Sequence, residues 1–238
     1  MSAAKYYPNR YARIGGIVYL IIIVAGLFGE MFARNAIVVS GNAAATASHL
    51  SNSPLIWRIG IAGDLIMHVC DVLLMMILYI LLRPVSRNLA LLALLFNLVQ
   101  TAVLVANKLN LLMPLFLLGD ADYLKAFDSH QLEAWSYLSI KSHAYGFGIG
   151  LIYFGFACLV YGFLIYKSTY LPRVIGVMMI LAGFCYILNI FALIIDPEFA
   201  NKLYPMILAP AFIGELSLCL WLLFKGVNLE KWSLVNSH

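Results

Sequence analysis

The residues in this chain able to do chemistry sit where charge is least expected, inside long apolar runs. Asp64, His68 and Asp71 share one such run. At ~100° per residue they fall at roughly 0°, 40° and −20°, so one helix face carries all three. The Asp64-x-x-x-His68 spacing puts a carboxylate one turn from an imidazole, where a hydrogen bond would fix the ring's tautomer. Asp71 adds a second acid on the other side. Two acids around one histidine suit a proton relay, a cation site or two ligands of a metal site.

Other apolar runs supply partners. Glu30, His143, Asn189 and Glu215 each lie in a different run. A further run carries Asn97, Gln100, Thr101, Asn107 and Lys108, of which Asn97, Thr101 and Lys108 fall within about 40° of one another. The expected binding set is Asp64, His68, Asp71, Glu215, Glu30, Asn97, Lys108 and His143. A zinc ion would find its ligands among Asp64, His68, Asp71, Glu215 and His143. A haem held between His68 and His143 is disfavoured, because carboxylates flank His68. The same groups could instead form a buried network that only orders helices. In that case Lys108 or Arg58 would neutralise Glu30 or Asp64. His49, His130 and His238 are expected in solvent.

These residues must be positioned by helices in a membrane. The chain has 238 residues, 63% hydrophobic and 11% charged. An ordinary globular domain is about 45–50% apolar and about 25% charged. A soluble fold or a disordered chain is excluded by that composition. The net charge of +4 is small and its basic residues are scattered, which argues against nucleic acid as a partner. Six apolar stretches reach the ~20 residues that a spanning helix needs. They cover about residues 14–33, 59–82, 88–112, 137–166, 174–195 and 205–224. All are too long for transmembrane strands, and helix satisfies every backbone group within its own segment. The expected fold is all-α: an integral membrane bundle of six transmembrane helices, with residues 1–238 forming a single transmembrane domain in the lipid bilayer.

Lys and Arg in the short loops give the orientation. With the N-terminus inside, Lys5, Arg10, Arg13, Arg83, Arg87, Lys167, Arg173, Lys225 and Lys231 fall on the inner side. Arg34, Arg58, Lys125, Lys141 and Lys202 fall outside, with Lys108 near the outer end of the third span. Both termini are therefore expected to be cytoplasmic. Trp57, Trp135, Trp221 and the Tyr6, Tyr7, Tyr11 group fall near span ends, as interface belts do. Most of the polar residues then lie in the outer half or at mid-depth, which suggests a cavity opening outward. The first span is expected to be retained, because its apolar run exceeds that of a signal peptide. Ser2 stands where myristoylation needs glycine.

The remaining features read as packing. Cys70, Cys158, Cys185 and Cys219 lie inside spans and form no C-x-x-C pair, so a disulfide or zinc framework is not expected. Gly146-x-x-x-Gly150 has the spacing of close helix approach, within the chain or across a homodimer, and the first is preferred. Pro114 is expected to end or kink the third helix, and Pro205 and Pro210 to distort the start of the sixth.

Several stretches, taken in order, carry a resemblance. They are Arg13-x-Gly15-Gly16-x-x-Tyr19-Leu20 with Gly26 and Glu30, then Arg58-Ile-Gly-Ile-Ala-Gly-Asp64-Leu, then Pro172-Arg-Val-Ile-Gly176 with Ala182-Gly183-x-x-Tyr186. The last is Gly214-Glu215-x-Ser-x-x-Leu220-Trp221-Leu-Leu-x-Lys225-Gly226. Together they resemble domain-of-unknown-function family 4386, small multi-pass membrane proteins found mainly in bacteria. The resemblance covers nearly the whole chain. It implies a single-domain helical fold in a bacterial-type inner membrane, and it implies no activity.

Three functions remain open on the sequence. The first is a module that binds or transports a small cation, a proton or an amphiphile through charge pairs that rearrange. The second is a metal-dependent intramembrane hydrolase, with zinc activating water beside the lipid. It would lack the paired-His motif and seventh span of the ceramidase and adiponectin-receptor type. The third is a non-catalytic structural or sensory protein with a dry, filled core.

Overall fold

A computed structural model describes residues 7–236. Ser2, Lys5, Tyr6, Ser237 and His238 lie outside the described residues. The described residues form helices and connecting turns, with no strand. Six helices are long and apolar enough to cross a membrane: Pro8–Ile37, Pro54–Leu82, Arg87–Leu117, Ser129–Lys167, Arg173–Ile195 and Met206–Phe224. They are called the first to sixth spans below. Each contains or closely overlaps a stretch expected from hydropathy, and the first four run well past it, because a helix continues into polar flanks that hydropathy discounts. Large apolar side chains on the spans face outward, among them Val69 at 65% and Ile195 at 79% exposure. Water would not tolerate so much exposed apolar surface, and hydrocarbon does. The protein is a multi-pass helical membrane protein.

The spans depart from regular helix at three places. The first passes through a π-helical turn at Gly29–Arg34 before ending at Ile37. The third is two helices, Arg87–Asn107 and Leu109–Leu117, with the break at Lys108. Pro114 does not end it: the helix continues to Leu117. Proline cannot donate to the carbonyl of Asn110, one turn back. That carbonyl accepts from Ser139 Oγ at 2.7 Å instead. The sixth starts as a 3₁₀ turn at Met206–Leu208, after a cis Tyr204–Pro205 bond, and Pro210 sits in the first turn of the following α-helix. A short helix, Ala43–Asn52, fills much of the segment between the first two spans, capped by the Asn42 side chain on Ala45 N.

The chain divides into two compact units. Unit 1 comprises Met1–Ile21, Cys70–Thr101 and Ile149–His238. Its core includes Leu81, Tyr161, Leu164, Met179 and Leu218. The fourth and fifth spans cross there with backbones nearly touching. A Cβ on Gly162 would lie 2.6 Å from the Gly176 carbonyl, and one on Gly183 2.6 Å from the Gly155 carbonyl. Only glycine permits that approach.

Unit 2 comprises Ile22–Val69 and Ala102–Gly148. Its apolar core joins Ile37, Leu50, Trp57, Ile61, Leu111 and Ile140. Trp57 is not an interface-belt residue: it is 1% exposed, and its indole donates to the Leu111 carbonyl at 2.8 Å. Trp135, by contrast, is 47% exposed. Gly146 packs inside this unit, since a Cβ there would strike the Asn107 side-chain oxygen.

Candidate functional site

Unit 2 gathers four charged residues from three spans. Asp64 is 0% exposed. Its Oδ2 accepts from Arg34 at 2.7 Å and from Lys108 Nζ at 2.7 Å. Arg34 Nε also donates to Glu30 at 2.8 Å. Local structure explains the convergence. Glu30 and Arg34 share the π-helical turn, and Gly29 beside them has no side chain to block Asp64. A Cβ on Gly29 would lie 2.6 Å from Asp64 Oδ1. Lys108 sits in the break of the third span, which the neighbouring span clamps. Asn107 donates to the His143 carbonyl at 2.8 Å and accepts from Asn110 at 2.9 Å.

Two histidines complete this cluster. His143 Nε2 lies 3.4 Å from Lys108 Nζ, and its ring packs against Phe147. His68 is 2% exposed, and neither ring nitrogen has a hydrogen-bond partner. The bond from Asp64 to His68 that the spacing allows is not made. Two cations occupy one Asp64 oxygen, and the other, Oδ1, is buried without a partner. Three unpartnered polar atoms therefore lie one turn apart on one helix. A buried polar atom left unpaired costs about 1–3 kcal/mol, and such atoms mark a place for a guest or water.

Unit 1 takes the other expected residues. Asp71 accepts from Thr101 Oγ1 at 3.2 Å, and Asn97 and Gln100 are buried on the same span as Thr101. Glu215 accepts from Tyr19 at 3.0 Å on one oxygen and from Tyr186 on the other. Of the expected binding set, Glu30, Asp64, His68, Lys108 and His143 thus lie in unit 2. Asp71, Asn97 and Glu215 lie in unit 1. The residues considered for zinc are divided between the two, and among the described residues no three His, Cys, Asp or Glu side chains are placed to hold a metal ion.

The family described as "Domain of unknown function (DUF4386)" matches residues 14–226. The chain belongs to this family. A DUF4386 assignment brings a multi-pass helical architecture and no assigned chemistry. A similar protein, from Archaeoglobus fulgidus, is 30% identical over 183 residues, covering 76% of this chain and 91% of the relative. It carries the name "Uncharacterized protein". No solved structure matches.

Arg34 is the residue that sequence reasoning missed. Hydropathy ends the first span at Ala33 and leaves Arg34 as a loop cation. The available signal is Glu30-x-x-x-Arg34, a helical ion-pair spacing that implies the helix continues. Lys108 as a neutraliser of Asp64 was legible, and the structure contains that pair.

Proposed function

We propose that the protein is a proton-linked binding module in the membrane, whose ligand is a small amphiphile with an anionic head. The observation that carries this reading is the state of Asp64. One oxygen holds Arg34 and Lys108 together, while the other oxygen and both nitrogens of His68 have no partner. Asp64 is an internal counter-ion that an incoming anion can replace.

The charge count selects among cation, proton and amphiphile. Glu30, Arg34, Asp64 and Lys108 balance as they stand. An added cation would leave surplus positive charge in a region of low dielectric, which is unfavourable. An anion arriving with a proton keeps the balance. The proton passes to Asp64, with His68 beside it as relay, and Arg34 and Lys108 turn to the anionic head. Each hydrogen bond to a charged group contributes about 1.5–3 kcal/mol, which offsets the bonds given up at Asp64. Glu30, with its side chain 50% exposed, carries the cluster to the molecular surface beside Met31 and Phe32, at 57% and 62% exposure. A ligand whose tail stays in lipid suits that edge.

With this reading we infer cytoplasmic termini, from the distribution of Lys and Arg between the loops, and an inner-membrane location. The residues of the cluster then occupy the outward halves of their spans. Calorimetric titration of the full chain in nanodiscs with decanoate tests the proposal, in two buffers of different ionisation enthalpy. Saturable binding with uptake of about one proton is expected, and decanol, with a neutral head, should give none. Absence of saturable binding, or equal binding of decanol, would overturn it.

A further inference from the structure

Unit 1 carries a positively charged corner that shares no residue with the Arg34–Asp64–Lys108 cluster. Lys167 ends the fourth span and Arg173 begins the fifth. Both side chains are exposed, and no ion pair among the described residues includes either. Each rests instead on an aromatic ring of the fourth span. Lys167 Nζ lies 5.8 Å from the centre of the Phe163 ring, and Arg173 Cζ lies 5.5 Å from that of Tyr166. Phe163 and Tyr166 are three residues apart, so they are neighbours on one helix face.

Rigid structure holds the two cations at this corner. A Cβ on Gly176 would lie 2.6 Å from the Tyr166 backbone nitrogen, so the ends of the two spans touch. The turn between them is buried at Ser168, Tyr170 and Leu171. Ser168 Oγ donates to the Ile165 carbonyl at 2.8 Å and accepts from Leu171 N at 3.3 Å. The Tyr170 hydroxyl donates to the Leu81 carbonyl at 2.6 Å. A cation seated on an aromatic face keeps its other N–H groups free. A guanidinium matches phosphate oxygens as a two-pronged donor. Beside the charges the surface turns apolar, with Phe163, Val174 and Val177 all exposed. Two cations at span ends, next to an exposed apolar wall, suit a phosphate head that brings its own acyl chains.

We propose that Lys167, Arg173 and Tyr166 bind the head of an anionic phospholipid, whose chains lie along Phe163, Val174 and Val177. Native mass spectrometry of the full-length protein tests this, from micelles holding phosphatidylglycerol and phosphatidylcholine in equal amounts with identical chains. Retention of one phosphatidylglycerol in preference to phosphatidylcholine is expected. Lys167→Gln and Arg173→Gln should each lower that preference by about fivefold, the effect of one charge at the membrane surface. Tyr166→Leu keeps both charges and should lower it as well, because Arg173 loses its seat. Lys202→Gln removes an exposed lysine beyond the other end of the fifth span and should leave it unchanged. All four side chains are exposed, so the variants fold. Absence of a preference in the wild type overturns the proposal. So does an equal fall in Lys202→Gln, or an unchanged preference in Lys167→Gln, Arg173→Gln or Tyr166→Leu. Glycerol 3-phosphate in excess should not displace the lipid; displacement would mean a site for a free anion and would overturn the lipid assignment. Decanoate binding at Asp64 is a separate measurement, and either result can fail alone.

Discussion

Lys108 Nζ lies 2.7 Å from Asp64 Oδ2, although the two residues are 44 positions apart and Arg34 already holds the same oxygen. The helix break at Lys108 and the absent side chain at Gly29 make this double pairing possible.

The pair is expected to be energetically coupled. Lys108→Met alone leaves Asp64 with Arg34 and is expected to destabilise by about 1–3 kcal/mol. Asp64→Asn alone leaves two cations without their shared acceptor and is expected to cost more. The double variant should recover part of the sum, because removing both partners avoids an uncompensated buried charge. Thermal unfolding of the four proteins measures the cycle. Strict additivity would show that the contact carries no coupling.

Glycine substitutions separate close approach from helix propensity. A Cβ on Gly29 would lie 2.6 Å from Asp64 Oδ1, whereas one on Gly63 meets nothing within 4 Å. Gly29→Ala should displace the Asp64 carboxylate and lower both stability and decanoate binding. Gly63→Ala should be neutral or stabilise by up to about 1 kcal/mol. Melting temperatures of the two variants make the comparison. Equal effects would remove Gly29 from the account.

Topology is tested from outside the cell. Ala44→Cys and Asp122→Cys are introduced into a chain with its four natural cysteines replaced. Both positions are exposed, and both lie on the outer side if the termini are cytoplasmic. A membrane-impermeant thiol reagent should label both in intact cells. Protection of both would reverse the orientation.

Much of this arrangement was legible in the sequence. Composition and run length dictate six helices, since a helix satisfies its own backbone in hydrocarbon and the runs are too long for barrel strands. The shared face of Asp64, His68 and Asp71 follows from helical period alone. Their partners do not, because period says which residues share a face and not which neighbour wins each oxygen. Arg34 wins over His68 at Asp64 through a π-helical turn that no hydropathy pattern marks. Thr101 pairs with Asp71 because two spans cross there, a tertiary fact. Trp57 departs from its expected placement for a similar reason: position near a span end suggests a belt, while packing against Leu111 buries it.

The central claim is that Asp64 is the counter-ion an anionic head displaces on taking up a proton. Calorimetric titration of decanoate into wild type, Asp64→Asn and Lys108→Met tests it most directly. Asparagine mimics the protonated acid, so Asp64→Asn should bind about tenfold tighter, roughly 1.4 kcal/mol, with no proton uptake. Lys108→Met should lose binding while remaining folded. Contradiction would be a folded Asp64→Asn protein that binds no decanoate, or one that binds with the wild-type proton uptake.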